Sequence, residues 1–475
     1  MRVVIVGYGM AGARLAGDLL ARDRQLDVTV LGAEPHRAYN RILLSNLLAD
    51  KVSEEATELP QPRGEQLRLH LGTAAAAIDS GARTVSTVDG TVYPYDALVL
   101  ATGSTAIVPR IDGLVDPLVF RTLDDCRRIL KSADGARTAL VLGGGLLGLE
   151  AARGLAARGI AVTVVHAVGH LMERQLDPGA SAVLDRTLRD LGIEVRLNAA
   201  AVGGLPDSAG LRLADGTELT ADLTVVACGV RPEVDLARSA GLDIGRAVRV
   251  DDQLRTSDPA IYAIGDCAEY PGAISGLVAP AWAQAEVVAD LITRADPEVR
   301  YHPVPPVTRL KAAGIDLAAM GECSDAVDSY DEDSLTYADP ARRRYAKLVI
   351  RGGRLAGAIM LGDHPGIGAV IQHFDRQTLL PADPRPLLFA RPGEGRGTGG
   401  EAPADTPAHM PDAAIVCRCN GVTKGELTKA WLHGSRDLCA ATRAGTGCGS
   451  CRDVVNGIAS WLSTVDSPGA EVRVP

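Results

Sequence analysis

Aliphatic runs alternate with longer amphipathic runs over roughly the first 300 residues. Short runs rich in Val, Ile and Leu predict strands at 2–6, 28–32, 97–101, 138–142 and 161–165. Longer runs with small residues at helical spacing predict helices at 10–22 and 146–158. Strands that alternate with helices are typical of parallel α/β units, so an α/β fold is predicted for this part of the chain.

The pattern changes after about residue 300. Segments 345–350 and 355–361 predict strands of a smaller antiparallel α+β domain over 303–390. Residues 391–413 contain five Gly and four Pro and predict a flexible linker, because such a composition cannot form a core. The remaining module, 414–462, is too short to bury a large core, so we expect a metal to stabilise it.

Composition narrows the function classes. The formal net charge of −10 argues against nucleic acid as a partner, because phosphate binding requires a concentrated basic surface. No apolar run approaches the ~20 residues that span a membrane, and the chain enters a predicted strand at Arg2 without a leader, so we expect a cytoplasmic protein. Five of nine cysteines fall between 417 and 451, a clustering that indicates metal chemistry.

Two glycine fingerprints of the form GxGxxG stand in the context that dinucleotide binding requires. They are formed by Gly7, Gly9 and Gly12 and by Gly143, Gly145 and Gly148. Each follows a predicted strand and opens a predicted helix, whose N-terminus can bind a pyrophosphate. A third match at 395–400 has neither a strand before it nor a helix after it, so no site is predicted there.

The residue at the end of the next strand indicates which dinucleotide is bound. Glu34 lies 22 residues after Gly12, where an acid can hold a ribose hydroxyl. In the second unit the corresponding strand ends in His166, which is not an acid. Because no Arg that would suit an NADP phosphate follows at 167–169, we predict that NADH is preferred over NADPH and that His166 lies at the adenine ribose.

Four cysteines form two close pairs, Cys417 with Cys419 and Cys448 with Cys451. Thiolates at this spacing suit either zinc or an iron–sulfur cluster, although the first pair is closer than is usual for zinc. Cys439 lies outside the pattern and is predicted to be a packing residue. The isolated residues Cys126, Cys228, Cys267 and Cys323 are predicted to be small core residues.

With these motifs the chain resembles the flavoprotein reductases of the glutathione-reductase-like fold. Further motifs of that family are Ala101-Thr102-Gly103, Gly229 within 227–232, and Gly265-Asp266 at the end of 256–266. The resemblance implies two Rossmann-like nucleotide-binding domains: an FAD-binding domain at 1–113 and 237–300, and an NAD(P)-binding domain at 114–236. Disulfide-reducing members carry a cysteine pair where this chain has none, at 39–45, so electrons are expected to leave the flavin by another route.

The same resemblance implies roles for single residues. Arg41, Lys51 and Arg121 correspond to positions near the flavin or its phosphates, and Asp266 to the aspartate that binds the ribityl region. Glu150 corresponds to a glutamate near the nicotinamide. Glu150 and Arg41 are therefore the predicted catalytic residues.

The C-terminal module is similar to the 2Fe–2S domains of the bacterioferritin-associated-ferredoxin type, on account of Asn420-Gly421 and the Gly445-Thr446-Gly447 segment beside the cysteine pairs. This implies a 2Fe–2S cluster on Cys417, Cys419, Cys448 and Cys451, with zinc as the alternative.

Segments 34–45 and 166–177 resemble the large subunits of assimilatory nitrite reductases and the electron-transfer subunits of assimilatory nitrate reductases. The implied function is electron transfer from NAD(P)H through FAD and the cluster to a molybdenum-containing nitrate reductase or a sirohaem nitrite reductase subunit. Because the chain ends at 475, it is not expected to reduce nitrite alone. The alternatives are a flavin subunit of a heteromeric amine or opine dehydrogenase and a redox-sensing iron–sulfur module, and homodimerisation is left open.

Overall fold

The computed structural model describes residues 1–114, 116–206, 209–303, 305–310, 314–323, 332–364, 366–389, 407–412, 414–417, 420–446 and 451–465. The chain divides into two compact units, Met1–Leu388 and Phe389–Pro475.

Strands and helices alternate through the first 300 residues. The strands are β1 (Arg2–Val6), β2 (Asp27–Gly32), β3 (Leu67–Leu71), β4 (Ala75–Asp79), β5 (Thr84–Thr87), β6 (Val92–Pro94), β7 (Ala97–Leu100), β8 (Ser104–Ala106), β9 (Leu118–Val119), β10 (Thr138–Leu142), β11 (Ala161–Val165), β12 (Ile193–Arg196), β13 (Ala201–Gly204), β14 (Leu211–Leu213), β15 (Glu218–Leu219), β16 (Leu223–Val226), β17 (Val230–Pro232), β18 (Val248–Arg249), β19 (Ile261–Ala263) and β20 (Ala268–Glu269). The helices are α1 (Met10–Arg22), α2 (Leu44–Leu48), α3 (Leu123–Ala133), α4 (Leu146–Ala157), α5 (Pro178–Asp190), α6 (Asp235–Ser239) and α7 (Val278–Thr293).

Antiparallel strands and short helices follow. The strands are β21 (Val307–Leu310), β22 (Leu317–Gly321), β23 (Glu332–Asp339), β24 (Arg344–Arg351), β25 (Arg354–Leu361), β26 (Ile415–Cys417) and β27 (Val422–Thr423). The helices are α8 (Ile367–Arg376), α9 (Pro386–Phe389), α10 (Lys424–Leu432), α11 (Leu438–Thr442) and α12 (Arg452–Val465).

A parallel sheet with the order β19-β7-β1-β2-β3 forms the first nucleotide-binding half. Residues 3–6 of β1 are all buried because the strand lies in the interior of the sheet. Helix α1 packs against α7, and the Trp282 indole donates a hydrogen bond to the Met10 carbonyl (3.1 Å). The alternation of strands and helices predicted for this half is confirmed, with β1 and α1 at the predicted bounds.

A second parallel sheet has the order β12-β11-β10-β16-β9. Its central strand, β10, is followed directly by the second glycine fingerprint and α4. This repetition of strand, glycine turn and helix confirms the predicted α/β fold with two Rossmann-like halves.

An antiparallel sheet with the order β21-β22-β25-β24-β23 occupies the region predicted to be a small α+β domain. The predicted strands at 345–350 and 355–361 lie within β24 and β25, and α8 packs against β25. Val370 and Phe374 of α8 are buried against this sheet and close its core.

A buried ion pair joins this antiparallel sheet to the second nucleotide-binding half. The Lys347 ammonium on β24 lies 3.1 Å from an Asp177 carboxylate oxygen, and the two side chains are 6% and 3% exposed. The Tyr345 hydroxyl donates to the same oxygen (2.6 Å). Asp177 also accepts the Ala180 N–H (2.8 Å) and thereby caps α5. One carboxylate therefore begins a helix of one layer and neutralises a cation of the next.

The described part of the C-terminal unit is a small β-hairpin with helices. Thr423 and Glu426 form a capping box that begins α10. Leu427, Trp431 and Ile458 are buried in the core between the helices. The buried Lys424 ammonium donates to the Met410 carbonyl (2.6 Å). None of the helices in the described ranges is both long and apolar enough to cross a bilayer.

We predict that Lys347→Met destabilises the protein by about 3 kcal/mol, because removal of one partner of a buried ion pair leaves the other charge uncompensated. The measurement is urea unfolding followed by circular dichroism. Lys131→Met is the matched control, because Lys131 is exposed on α3. Equal stability of the two variants would show that the pair contributes nothing to the contact between the layers.

Candidate nucleotide and cluster sites

The first glycine fingerprint turns from β1 into α1 where the main chain leaves no space for side chains. Gly7 has a φ of +111°, and a Cβ there would lie 2.2 Å from the Ala101 carbonyl oxygen. A Cβ on Gly12 would lie 2.0 Å from the Gly7 oxygen. On Gly9, in contrast, it would meet no atom of the described residues within 4 Å. Gly9 therefore borders open space at the N-terminus of α1, where unpaired N–H groups can bind phosphate.

The second fingerprint repeats this geometry. Gly143 has a φ of +119°, and a Cβ there would lie 2.4 Å from the Ala227 oxygen. A Cβ on Gly148 would lie 2.0 Å from the Gly143 oxygen, whereas one on Gly145 would reach no atom of the described chain within 4 Å. In both halves the first and third glycines permit close packing, and the middle glycine borders open space that a ligand can fill. Each glycine turn, together with the N-terminus of the helix that follows it, is called a cradle below, and both cradles fit a pyrophosphate.

Glu34 follows β2 and is held by two neighbouring side chains. Arg41 pairs with one carboxylate oxygen (2.5 Å), and the Tyr39 hydroxyl donates to the other (2.7 Å). Burial raises the pKa of Tyr39, so its hydroxyl stays protonated while it accepts the Leu123 N–H (2.9 Å). The carboxylate is thus oriented and retains lone pairs for ribose hydroxyls. This contact favours a binding role over a catalytic one for Arg41.

Asp266 lies in a hydrogen-bonded group with Arg121 and Ser104. The Arg121 guanidinium donates to Asp266 and to the Ser104 hydroxyl, both at 2.6 Å, and Ser104 donates to Asp266 (2.7 Å). Burial lowers the pKa of Arg121, and the charge of Asp266 opposes that shift. The sequence does not single out Ser104 as a site residue, although its position directly after Gly103 is a signal that could have identified it.

Two crossing segments connect the nucleotide-binding halves and pair with each other as β8 and β17. The Thr102 hydroxyl donates to the Glu233 carbonyl (2.9 Å), and the Ile107 N–H donates to the Gly229 carbonyl (2.9 Å). Gly103 and Gly229 have φ values of +74° and +94°, so each uses the left-handed conformation that glycine tolerates. Gly265, which precedes Asp266, has a φ of +76° for the same reason.

Helix α2 of the first half packs against α4 of the second, which carries the buried Glu150. A Cβ on Gly154 would lie 2.8 Å from Cγ of Leu48, and Arg158 donates to the Leu48 carbonyl (2.6 Å). This contact holds the two fingerprint regions together. Lys51 is exposed on the turn after α2, and its predicted place near the flavin stays a prediction.

His166 is buried and contacts the turn of the second fingerprint. Its Nδ1 accepts the Gly144 N–H (3.0 Å), and its Nε2 lies 3.1 Å from the His170 carbonyl oxygen. Nε2 also lies 3.3 Å from a Glu173 carboxylate oxygen. The ring therefore fixes the turn, a role that the sequence does not reveal, and its predicted influence on cofactor choice stays a prediction.

The isolated cysteines lie in hydrophobic surroundings. Burial raises the pKa of each thiol, to about 12 for Cys126 and Cys323. Protonated thiols are poor nucleophiles, so these residues fit the predicted packing role. The group comprises Cys126, Cys228, Cys267 and Cys323.

Of the predicted cluster ligands, Cys417 and Cys451 lie in the described residues, and Cys419 and Cys448 lie outside them. Cys417 ends β26 and is 0% exposed, and Cys451 directly precedes α12 and is 6% exposed. Buried thiolates suit iron–sulfur ligation, and the N-terminus of a helix stabilises negative charge beside it.

Asn420 links the segments that carry the two cysteine pairs. Its side-chain amide donates to the Arg443 carbonyl (2.7 Å) and lies 3.3 Å from the Thr446 hydroxyl. Gly445, with a φ of +76°, lies in the same turn, and a Cβ there would be 3.4 Å from the Cys439 sulfur. Cys439 therefore packs beside the turn, and Asn420 is hydrogen-bonded to the same turn at residues 443–446.

Comparison with known proteins agrees with this geometry. Residues 1–285 match the family model "Pyridine nucleotide-disulphide oxidoreductase". The chain belongs to this family. Residues 306–368 match "Rubredoxin NAD+ reductase C-terminal domain", and 415–460 match "BFD-like [2Fe-2S] binding domain". The predicted oxidoreductase class and the predicted cofactors, FAD, NAD(P)H and a 2Fe–2S cluster, are confirmed, and the zinc alternative is not supported.

Among relatives in this family, the chain is 33% identical to the NAD(P)H nitrite reductase of Bacillus subtilis, over 96% of this chain and 57% of that protein. It is 32% identical to the assimilatory nitrate reductase electron transfer subunit of the same species, over 97% of this chain and 60% of that protein. The chain thus spans little more than half of these relatives. A crystal structure of the covalent putidaredoxin reductase–putidaredoxin complex matches with a TM-score of 0.72 and 26% identity, over 82% of this chain and 96% of that one.

We predict that Gly9→Ala leaves the protein folded but weakens FAD binding by tenfold or more, which is about 1.4 kcal/mol or more. The added methyl group meets no described atom within 4 Å, so the fold tolerates it, but it projects at the N-terminus of α1, where the pyrophosphate is expected. Flavin content and FAD affinity after removal of the flavin are the measurements. Gly17→Ala, on the open side of the same helix, is the control and should bind FAD normally. A Gly9→Ala protein with full FAD content and unchanged affinity would exclude this cradle as the FAD site.

Proposed function

We propose that this chain oxidises NADH and delivers electrons to a separate nitrate or nitrite reductase subunit. The observation that carries the proposal is the presence of two complete dinucleotide cradles and a predicted four-thiolate module in one chain. FAD accepts two electrons as hydride and releases them singly, and a 2Fe–2S cluster accepts one, so a chain that carries both can connect NADH to a one-electron acceptor.

Each group of residues has a distinct part in this proposal. The open face at Gly9, the Glu34 carboxylate and the Arg121–Asp266 pair bind and orient the flavin nucleotide. The open face at Gly145 binds NADH, and the buried Glu150 lines the nicotinamide side of α4. Alignment of the two rings and exclusion of water are what the protein supplies to hydride transfer.

The division into domains is part of the proposal. We assign 1–113 with 237–300 to FAD, 114–236 to NAD(P)H, 303–390 to the small α+β domain and 414–462 to the cluster. The strand order of the first sheet supports this division, because β19, which follows the second half in sequence, pairs with β7 of the first half. Most of the proposed linker, 391–413, lies outside the described residues.

A molybdenum-containing nitrate reductase or a sirohaem nitrite reductase subunit is the proposed partner. The names of the two Bacillus subtilis relatives support this choice. A cytoplasmic location stays a proposal, and homodimerisation stays open.

A flavin subunit of an amine or opine dehydrogenase is the second candidate. Such a subunit draws electrons from its substrate and has no need of an intact nicotinamide cradle. Close packing at Gly143 and Gly148 around an open Gly145 therefore favours NADH oxidation. The remaining alternative, a redox-sensing iron–sulfur module, would be distinguished by slow NADH-dependent reduction of electron acceptors.

We predict that Cys448→Ser abolishes the iron–sulfur absorption and the reduction of external one-electron acceptors. Reduction of the flavin by NADH should continue, because the nucleotide-binding half and the cysteine module belong to separate compact units. Stopped-flow spectroscopy separates the two half-reactions. Cys439→Ser is the control and should retain its cluster. Stoichiometric zinc without iron in anaerobically purified protein would contradict the assignment.

The partner assignment predicts NADH-dependent nitrate reduction only when a purified molybdenum subunit is added, or nitrite reduction only with a sirohaem subunit. Product formation by the wild type, with the Cys448→Ser variant as the inactive control, is the measurement. Rapid flavin reduction by an amine or opine in place of NADH would support the second candidate instead.

A further inference from the structure

The turn of the second fingerprint is held from both sides by the segment that follows β11. The Gly144 N–H donates to Nδ1 of His166 (3.0 Å), and the Gly144 carbonyl accepts the Met172 N–H (3.0 Å). A Cβ on Gly144 would lie 2.6 Å from a Leu171 methyl carbon and 2.8 Å from Cγ of His166. Met172 is fully buried with a φ of +50°, so residue 173 is placed beside the nucleotide turn by a fixed main chain.

The hydrogen bond from Gly144 indicates which ring nitrogen of His166 carries the proton. Because Nδ1 accepts a backbone N–H, it carries no proton, and the ring proton is on Nε2. Nε2 is hydrogen-bonded to the His170 carbonyl oxygen (3.1 Å), and a Glu173 carboxylate oxygen lies 3.3 Å from the same nitrogen. The ring therefore lies between the Gly144 turn and Glu173, with one nitrogen against each. This contact places the carboxylate beside the turn.

Glu173 thus presents a negative charge at the end of the strand where many dinucleotide sites place an acid. Its side chain is 40% exposed, so the carboxylate is accessible from solvent. A carboxylate accepts hydrogen bonds from ribose hydroxyls and repels a 2′-phosphate. The neighbouring cation, Arg174, is also exposed and would have the opposite effect on a phosphate.

We propose that Glu173 is the residue that binds the adenine ribose of NADH and excludes NADPH, and that His166 is its positioning residue. This inference rests on the proposed function, since it requires that the second cradle hold a nicotinamide dinucleotide. The acid lies seven residues after His166, and the contacts of Gly144 with His166, Leu171 and Met172 bring its segment back to the strand end.

The test uses full-length holoprotein and measures flavin reduction by NADH and by NADPH in the stopped flow. Glu173→Gln should raise the half-saturating NADH concentration by about tenfold with little change in the limiting rate, because a charge-assisted hydrogen bond is lost. Its relative use of NADPH should increase. Glu218→Gln, which alters an exposed acid of the same half on β15, should behave as wild type.

The positioning role has its own readout. His166→Asn can still accept the Gly144 N–H but cannot reach the carboxylate, so it should also raise the half-saturating NADH concentration. The double variant His166→Asn/Glu173→Gln should raise the half-saturating NADH concentration by less than the product of the two single-variant fold-changes, because both substitutions act through one interaction.

An unchanged NADH-to-NADPH preference in Glu173→Gln would overturn the inference. Wild-type preference for NADPH that is lost in Arg174→Gln would assign the position to a phosphate-binding site instead. Failure of both NADH and NADPH to reduce the wild-type flavin would overturn the proposed function itself, so the two failures are distinguishable.

Discussion

The structure depends on main-chain contacts at the two glycine fingerprints that are so close that only glycine, which has no side chain, fits there. At Gly7 and Gly143 the turn after a strand touches the carbonyl of the segment that leaves the neighbouring strand, and at Gly12 and Gly148 the helix touches the turn. These contacts bring each helix N-terminus against the edge of its sheet. The middle glycine of each turn then faces open space, which is why one geometry can serve two dinucleotides.

The two cradles are useful together only if their relative position is fixed. The paired crossings β8 and β17 connect the halves, and α2 of the first half packs on α4 of the second. The buried Asp177–Lys347 pair then joins the second half to the antiparallel sheet. A buried ion pair requires well-defined geometry, so this contact specifies how the layers meet more than it adds to stability.

The side chains around the cradles depend on one another in the same way. Glu34 is oriented by Arg41 and Tyr39, Asp266 by Arg121 and Ser104, and Glu173 by His166. In each case another side chain lies against a carboxylate that we propose faces a nucleotide. Such support keeps the charge available to a ligand and lowers the entropy lost on binding.

The sequence by itself determined the parallel α/β fold, both fingerprints, the antiparallel strands and the cysteine pattern, because each is set by local spacing. It also indicated Glu34 and Asp266, because each lies at a characteristic spacing from its motif. Only the tertiary structure decided that Arg41 pairs with Glu34, that Ser104 joins the Asp266 group, and that His166 holds a turn and orients Glu173. These contacts join residues through main-chain turns and across layers, and such distances are fixed by packing and not by the spacing of residues along the chain.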